Sequence, residues 1–210
     1  HSFPTRRSSD LISGENPFWI SKFNKTADHH HKFRVRTMDH KFERCELSVS
    51  DSGKVMVLRG NWGKTHIVDV YETDGHFVCS FGEQILTSNC DITTVSDGRV
   101  MVVQGREPSS CVHIFSEQGD HLNTFDLQMS MFHLKIAFHR ASQHVVVVGD
   151  GGYDMDILQI EIYTKDGEFV RSTSVNMGQS YSLLGMAVTT EGRIAVTTEL
   201  YGLEAKVIII

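Results

Sequence analysis

Two groups of side chains in this sequence could bind a metal ion. Asp150, Asp154 and Asp156 carry hard oxygen ligands of the kind that calcium takes, but they lack the Asp-x-Asp-x-Asp-Gly order of a calcium loop. That departure favours a solvated acidic loop. The residues 29–31 are three consecutive histidines, and imidazole suits zinc or copper. We expect them to form an exposed polar turn between two strands.

The pattern of the cysteines argues against a metal site and against a disulfide. They are Cys45, Cys79, Cys90 and Cys111, and no two form a Cys-x-x-Cys pair. We therefore expect no metal site and no cofactor. We expect all four to be buried thiols that behave as small apolar residues. Unpaired thiols favour a reducing compartment, so we predict a cytoplasmic location.

Signatures of nucleophilic and phosphate chemistry are missing from the sequence. It contains no Gly-x-Ser-x-Gly elbow and no glycine-rich phosphate loop. We predict no catalytic residue in this stretch of chain.

An internal repeat indicates the strands and turns that would position a functional site. The stretches that start at Cys45, Cys90, Leu134 and Leu184 each consist of a short strand, a polar turn and a second strand. A second series, with Asp-Gly or Gln-Gly turns, alternates with the first, and such turns supply the positive φ of tight hairpins. Four strands, a to d, recur every 44 to 48 residues. This period predicts the blades of a β-propeller.

The predicted fold class is all-β, a partial β-propeller of four-stranded antiparallel blades. We expect three complete blades and a partial blade at each end. The complete blades span about 45–89, 90–133 and 134–182, and the partial ones span 12–44 and 183–210. Residues 18–23 and 32–38 are predicted as strands c and d of the first partial blade. We expect the chain to be a fragment of a six-bladed propeller.

The first eleven residues differ in character from the rest. HSFPTRRSSDL is basic, rich in hydroxyl groups and aperiodic. It resembles the translation of a short-read sequencing adapter at every position. We interpret residues 1–11 as an artefact and 12–210 as the propeller domain.

Two stretches resemble the NHL repeat. They are VSDGRVMVV (95–103) and VDVYETDGHFVCSFG (68–82). The repeat's Asp-x-x-Asn between strands b and c is missing, so the resemblance is to a divergent member. In animals, NHL propellers commonly end tripartite-motif (TRIM) proteins, which carry a RING ubiquitin-ligase domain. The resemblance implies a module that recognises protein or RNA, and a full-length protein that could be a ubiquitin ligase.

The loops at one end of a propeller usually form its binding face. We call the end with the b–c and d–a connections the upper face, and the end with the a–b and c–d hairpins the lower face. Large aromatic residues and Arg are common in binding surfaces. The predicted binding residues lie in the b–c loops and are Trp62, Lys64, Arg106, Tyr153 and Tyr201. The d–a loop QMSMFH (128–133) either plugs a blade interface or presents an adaptable apolar contact.

These features favour a non-enzymatic protein-recognition module that uses the upper face. Outside residues 1–11 the chain carries 25 acidic side chains against 18 Lys and Arg, which favours protein over RNA. We expect no membrane contact, and oligomers only through domains outside this stretch. One alternative is an RNA-binding NHL domain. The other is a metal-dependent propeller enzyme, lactonase-like or amidating-lyase-like, although the inner-strand residues Glu46, Asp91 and Lys135 do not compose a metal cage.

Overall fold

The computed structural model describes residues 19–23, 29–35, 44–60, 65–87, 90–105, 110–151, 154–178, 181–200 and 204–210. Every regular element in these ranges is a β-strand, and they contain no helix. The strands form five antiparallel sheets. The predicted all-β class is confirmed.

The sheets follow one another along the chain. The N-terminal hairpin comprises β1 (Trp19–Phe23) and β2 (His29–Arg34). The first blade comprises β3 (Arg44–Val49), β4 (Val55–Gly60), β5 (His66–Tyr71) and β6 (Phe77–Phe81). The second blade comprises β7 (Cys90–Thr94), β8 (Val100–Gln104), β9 (Cys111–Phe115) and β10 (His121–Asp126). The third blade comprises β11 (Phe132–His139), β12 (His144–Gly151), β13 (Asp154–Thr164) and β14 (Phe169–Asn176). The fourth blade comprises β15 (Tyr181–Val188), β16 (Ile194–Leu200) and β17 (Glu204–Ile209).

The four blades are arranged as a partial β-propeller, as predicted. Within each blade the strands pair in chain order. The first strand of each blade contacts the first strand of the next, so β3, β7, β11 and β15 line the inside. Near their carboxyl ends, Ser48 Oγ and Thr94 Oγ1 lie 3.0 Å apart across two of these strands. The inner strands therefore run in the same direction, and this alignment defines the upper and lower faces.

A repeated aromatic contact joins neighbouring blades. The ring centroids of Phe81 on β6 and Phe115 on β9 lie 5.0 Å apart, at a spacing typical of favourable aromatic pairs. Phe33 with Tyr71 (5.4 Å) and Phe125 with Tyr163 (4.9 Å) repeat it at the preceding and following interfaces. Because Phe33 on β2 takes the place of a strand d residue, the N-terminal hairpin packs as the outer half of a preceding blade.

Glycines in the c–d hairpins make this aromatic contact possible. Gly119 has a φ of 97°, in the region where a side chain is strained. A Cβ there would also lie 2.7 Å from the Cβ of Phe81. Gly75 faces Phe33 and Gly167 faces Phe125 in the same way. The glycines that turn chemistry predicts in these hairpins are therefore required by packing as well.

The third a–b turn lacks the glycine of its repeats, and the structure shows what replaces it. Gln143 takes a positive φ of 58°. Its side-chain Nε2 donates to the carbonyl of Arg140 at 2.6 Å, and its Oε1 accepts from the Ser96 hydroxyl at 2.7 Å. These bonds offset a backbone strain of about 1 kcal/mol.

The predicted polar turn at residues 29–31 is wrong, because these histidines lie in β2. The strand begins three residues earlier than predicted, and Phe23 pairs with His29. His31 Nε2 makes a hydrogen bond of 2.9 Å to the carbonyl oxygen of Asp74 in the first blade. The backbone pairing with β1 and this contact explain why the segment is extended.

The prediction that all four cysteines are buried is correct for two. No disulfide joins any of them. Cys90 and Cys111 are buried, whereas Cys45 and Cys79 are half-buried. Cys79 lies on β6, the outermost strand of its blade, where one face meets solvent. Burial raises the pKa of the Cys45 thiol to about 12, so it is a poor nucleophile at neutral pH.

Candidate functional site

The five predicted binding residues lie outside the described residues. They are Trp62, Lys64, Arg106, Tyr153 and Tyr201. The strands on either side of them are described, and these strands end at the upper face in all four blades. The described part of that face is therefore built from the d–a loops and the strand ends.

A small cavity lies at the lower face. It has a volume of about 40 Å³ between the ends of the inner strands, and its lining includes Ser48, Thr94 and Arg140. This volume accommodates roughly one to three water molecules. Arg140 is also ion-paired with Asp51. The cavity itself is thus too small for a ligand larger than a few waters.

On the upper face, the loop that precedes β11 both plugs an interface and presents an aromatic ring. Met131 is 2% exposed and packs in the core between the second and third blades. Phe132, the next residue, is 37% exposed. The two expectations for this loop therefore apply to different residues. Met131 fixes the loop, and Phe132 is available for contact.

A buried carboxylate anchors the start of this loop. Glu161 on β13 is fully buried and accepts from the backbone N–H of Gln128 at 3.2 Å and of Met129 at 2.8 Å. The Tyr163 hydroxyl donates to the same carboxylate at 2.5 Å. The Ser110 hydroxyl donates to the carbonyl of Met131 at 3.1 Å. Hydrogen bonds to an ionised acceptor are the stronger kind, so the loop is held to both blades.

A second buried carboxylate holds the other end of the loop. His133 Nδ1 lies 2.5 Å from Asp150 Oδ2, and the side chain of Asp150 is 1% exposed. His133 has a φ of 47°, unusual for a residue with a side chain. The β11–β12 pairing shifts register between Phe132 and Lys135, which marks a β-bulge. Bulges re-aim side chains, and this one places the imidazole on Asp150.

Gly149 on β12 makes room for the bulge. A Cβ at Gly149 would lie 2.8 Å from the carbonyl oxygen of Phe132 and 2.9 Å from a methyl carbon of Leu134. A side chain at this position would push the loop off the blade. The local sequence thus explains why the histidine and the aspartate meet, although 17 residues separate them.

Tyr181, where β15 begins, lies next to this pair. Its side chain is 1% exposed, and its hydroxyl has no hydrogen-bond partner among the described residues. Burial raises the pKa of Tyr181, and the charges of Asp150 and Asp156 raise it further. We call His133, Asp150, Asp156 and Tyr181 the upper-face cluster.

The three aspartates that were considered as calcium ligands, and assigned instead to a solvated acidic loop, have different surroundings. Asp150 is bonded to His133, Asp156 belongs to the cluster, and the side chain of Asp154 lies outside the described part of the chain. Within the described ranges, no group of three or more His, Cys, Asp or Glu is placed to hold a metal ion.

The inner-strand residues form a buried polar layer across three blades. Lys135 Nζ lies 2.5 Å from Glu46 Oε1, which joins the third blade to the first. Asp91 of the second blade accepts from the backbone N–H of Ile136 at 2.8 Å. The Lys135 ammonium and the Glu46 carboxylate thus balance each other's charge within this layer.

A series of polar residues on the third strands was missed at the sequence level. Asp69, His113 and Glu161 occupy equivalent positions, opposite Val57, Val102 and Val147. Each stands two residues before an aromatic, as in DVY, HIF and EIY. In the first and third blades the aromatic residues are Tyr71 and Tyr163, and each hydroxyl donates to the carboxylate two residues before it. This polar-x-aromatic spacing is the signal that could have revealed Glu161.

Comparison with known proteins supports the fold. No protein-family profile matches the chain, and no curated protein matches it in sequence. Hydrazine synthase from Kuenenia stuttgartiensis has a TM-score of 0.62 at 14% identity, with 91% of this chain and 56% of that chain covered. The nidogen/laminin complex gives 0.58 at 11% identity, with 84% and 67% covered. A streptogramin B lyase gives 0.55 at 14% identity, with 90% and 61% covered.

These similarities show a shared architecture. The fold is a β-propeller. The chain spans 56% to 67% of the length of the three structures. They range from a binding complex to a lyase, so the fold alone does not select a function. None of the described elements is a helix long and apolar enough to cross a membrane.

Proposed function

We propose that this chain is a protein-recognition module whose upper face binds a partner. The observation that carries the proposal is the anchored loop before β11. Two buried carboxylates, Glu161 and Asp150, hold it, while Phe132 remains 37% exposed beside His133. An aromatic ring on an anchored loop is a favourable contact, because little conformational entropy is lost when a partner binds.

The side chains predicted from the sequence extend the proposed surface. Trp62, Lys64, Arg106, Tyr153 and Tyr201 follow the upper ends of the second strands in the four blades. Trp, Tyr and Arg supply much of the binding energy in protein interfaces. In this proposal they contact the partner around Phe132.

Affinity capture with matched variants tests the proposal. The wild-type chain is compared with Phe132→Ala, with the double variant Trp62→Ala/Arg106→Ala, and with Phe77→Ala. Phe77 is equally exposed, at 37%, but lies at the lower face. A partner identified by mass spectrometry should bind wild type and F77A alike, and the other two variants at least about tenfold more weakly. Equal binding by all variants contradicts the proposal.

The NHL resemblance extends the proposal to the full-length protein. We propose a TRIM-like scaffold or ubiquitin ligase in the cytoplasm, with this propeller as its substrate-binding part. Sequencing the full transcript tests this: RING, B-box and coiled-coil segments upstream would support it, and a signal peptide would contradict it. Weak, salt-sensitive RNA binding that competes with the protein partner would favour the RNA-binding alternative instead.

A propeller enzyme is the second candidate, and one observation favours it. A buried carboxylate that fixes a histidine, as Asp150 fixes His133, is an arrangement that acid–base catalysis uses. The metal-dependent form of this candidate is tested by metal analysis of the complete protein. One divalent ion per chain, retained through purification, would favour the lactonase-like or amidating-lyase-like alternative.

A further inference from the structure

The upper-face cluster is a built feature of the fold. The bulge at His133, its positive φ, and the glycine opposite combine to place an imidazole over a buried carboxylate. Backbone strain of this kind is concentrated at functional sites. The Tyr181 hydroxyl, at the start of β15, is buried with no hydrogen-bond partner among the described residues, although buried hydroxyls are nearly always paired. This unpaired hydroxyl is the observation that indicates a ligand.

The charge of the cluster selects the kind of ligand. Asp150 and Asp156 both act electrostatically on Tyr181. Among the described residues, no Lys or Arg forms an ion pair with either carboxylate, and the partner of Asp150 is His133. The carboxylate of Asp156 is thus the charge that a cationic group would balance.

The cluster is open to solvent on one side. The side chain of His133 is 37% exposed, and that of Asp156 is half-buried. A cationic group can therefore approach past the imidazole and meet Asp156 first. Phe132 precedes His133 and is exposed beside it, so an apolar residue of the same partner could pack there.

We propose that the upper-face cluster binds a lysine or arginine side chain of the protein partner. This inference rests on the proposed recognition function and names the chemistry of the partner. An ammonium or guanidinium group donates hydrogen bonds to Asp156 and balances its charge.

Methylguanidinium chloride is the probe that tests this site without a known partner. It is titrated to about 50 mM into the isotope-labelled chain, and NMR follows the ring signals of His133 and Tyr181. Sodium chloride and tetramethylammonium chloride control for ionic strength and for a cation without N–H donors. We expect saturable shifts with methylguanidinium alone, and about tenfold weaker binding in Asp156→Asn.

Glu191→Gln is the matched control variant. Glu191 is an exposed carboxylate in the a–b hairpin of the fourth blade, at the lower face, so this change should leave binding unaltered. Equal affinity in D156N and wild type, or shifts that sodium chloride reproduces, would overturn the inference. Recognition of a partner through Phe132 would then still stand, because the capture experiment tests it separately.

Discussion

At the residue scale, a comparison of two glycines distinguishes the cost of backbone strain from the cost of a steric clash. We expect Gly119→Ala to lower the free energy of unfolding by about 3 kcal/mol, because the methyl group adopts an unfavourable φ and collides with Phe81. Gly98→Ala should cost about 1 kcal/mol, because Gly98 also has a positive φ but no atom within 4 Å of the added methyl group. Urea unfolding of both variants measures the difference. Equal losses would mean that the hairpin does not pack on Phe81.

The residues of the candidate site were only partly predictable. Asp-Gly pairs reveal their turns directly, because the conformational need is local. The meeting of His133 with Asp150 depends on a bulge whose position is set by Gly149 and by the path of the preceding loop. Nothing in the residues next to His133 signals that contact.

At the scale of elements, the carboxylate of Glu161 should control the loop before β11. We expect Glu161→Gln to cost about 2–3 kcal/mol, because the neutral amide cannot accept the same charge-assisted hydrogen bonds. Amide hydrogen exchange at Gln128 and Met129 should accelerate more than exchange in β7. A uniform acceleration over the whole chain would show that the carboxylate stabilises the fold without anchoring this loop in particular.

The hairpins of the lower face should respond to acid. The side-chain hydrogen bond from Arg99 lowers the pKa of Asp97 from 3.8 to about 2, and Arg99 also meets Asp166 of the third blade at 2.9 Å. A lowered pKa in the folded state means that the stabilisation is present above pH 4 and is lost as the pH falls toward 2. Since Asp97 is one-third exposed, we expect Asp97→Asn to cost less than about 1 kcal/mol at pH 6.

Urea unfolding between pH 6 and pH 3 measures this effect. D97N should lose less stability over that range than wild type. Glu168→Gln, which alters an exposed carboxyl that forms no ion pair with the described residues, should follow the wild-type curve. Identical slopes for wild type and D97N would show that the hairpin ion pairs contribute nothing to stability.

The architecture was more predictable than the site, because the sequence signals of strands and turns recur along the chain and those of the loops do not. Four strands recur with each repeat, the second of them apolar and buried in the first three blades, and their turns carry their own signals. The b–c loops carry no such repeat, since loops on a scaffold vary independently of it. The His29–His31 segment was assigned to a turn because its polarity resembles that of a loop, whereas pairing with β1 makes it a strand.

At the scale of the whole molecule, one buried ion pair tests the curvature of the blades. Lys135 of the third blade meets Glu46 of the first, so the inner strands must bend around a common axis. We expect Glu46→Gln to cost about 3–5 kcal/mol, because it leaves a buried ammonium without its carboxylate. The double variant Glu46→Leu/Lys135→Met should cost less than the sum of the single changes by at least about 2 kcal/mol. Additive losses would mean that the first and third blades do not meet in this way.

Photo-crosslinking tests the central claim, recognition through the upper face, most directly. p-Benzoylphenylalanine replaces Phe132 in one sample and Phe77 in another, two equally exposed sites at opposite faces. After irradiation with the captured partner, mass spectrometry identifies the crosslinked residue. We predict a crosslink from position 132 to a partner segment that contains lysine or arginine, and none from position 77. A crosslink from position 77 alone would place recognition at the lower face and contradict the account.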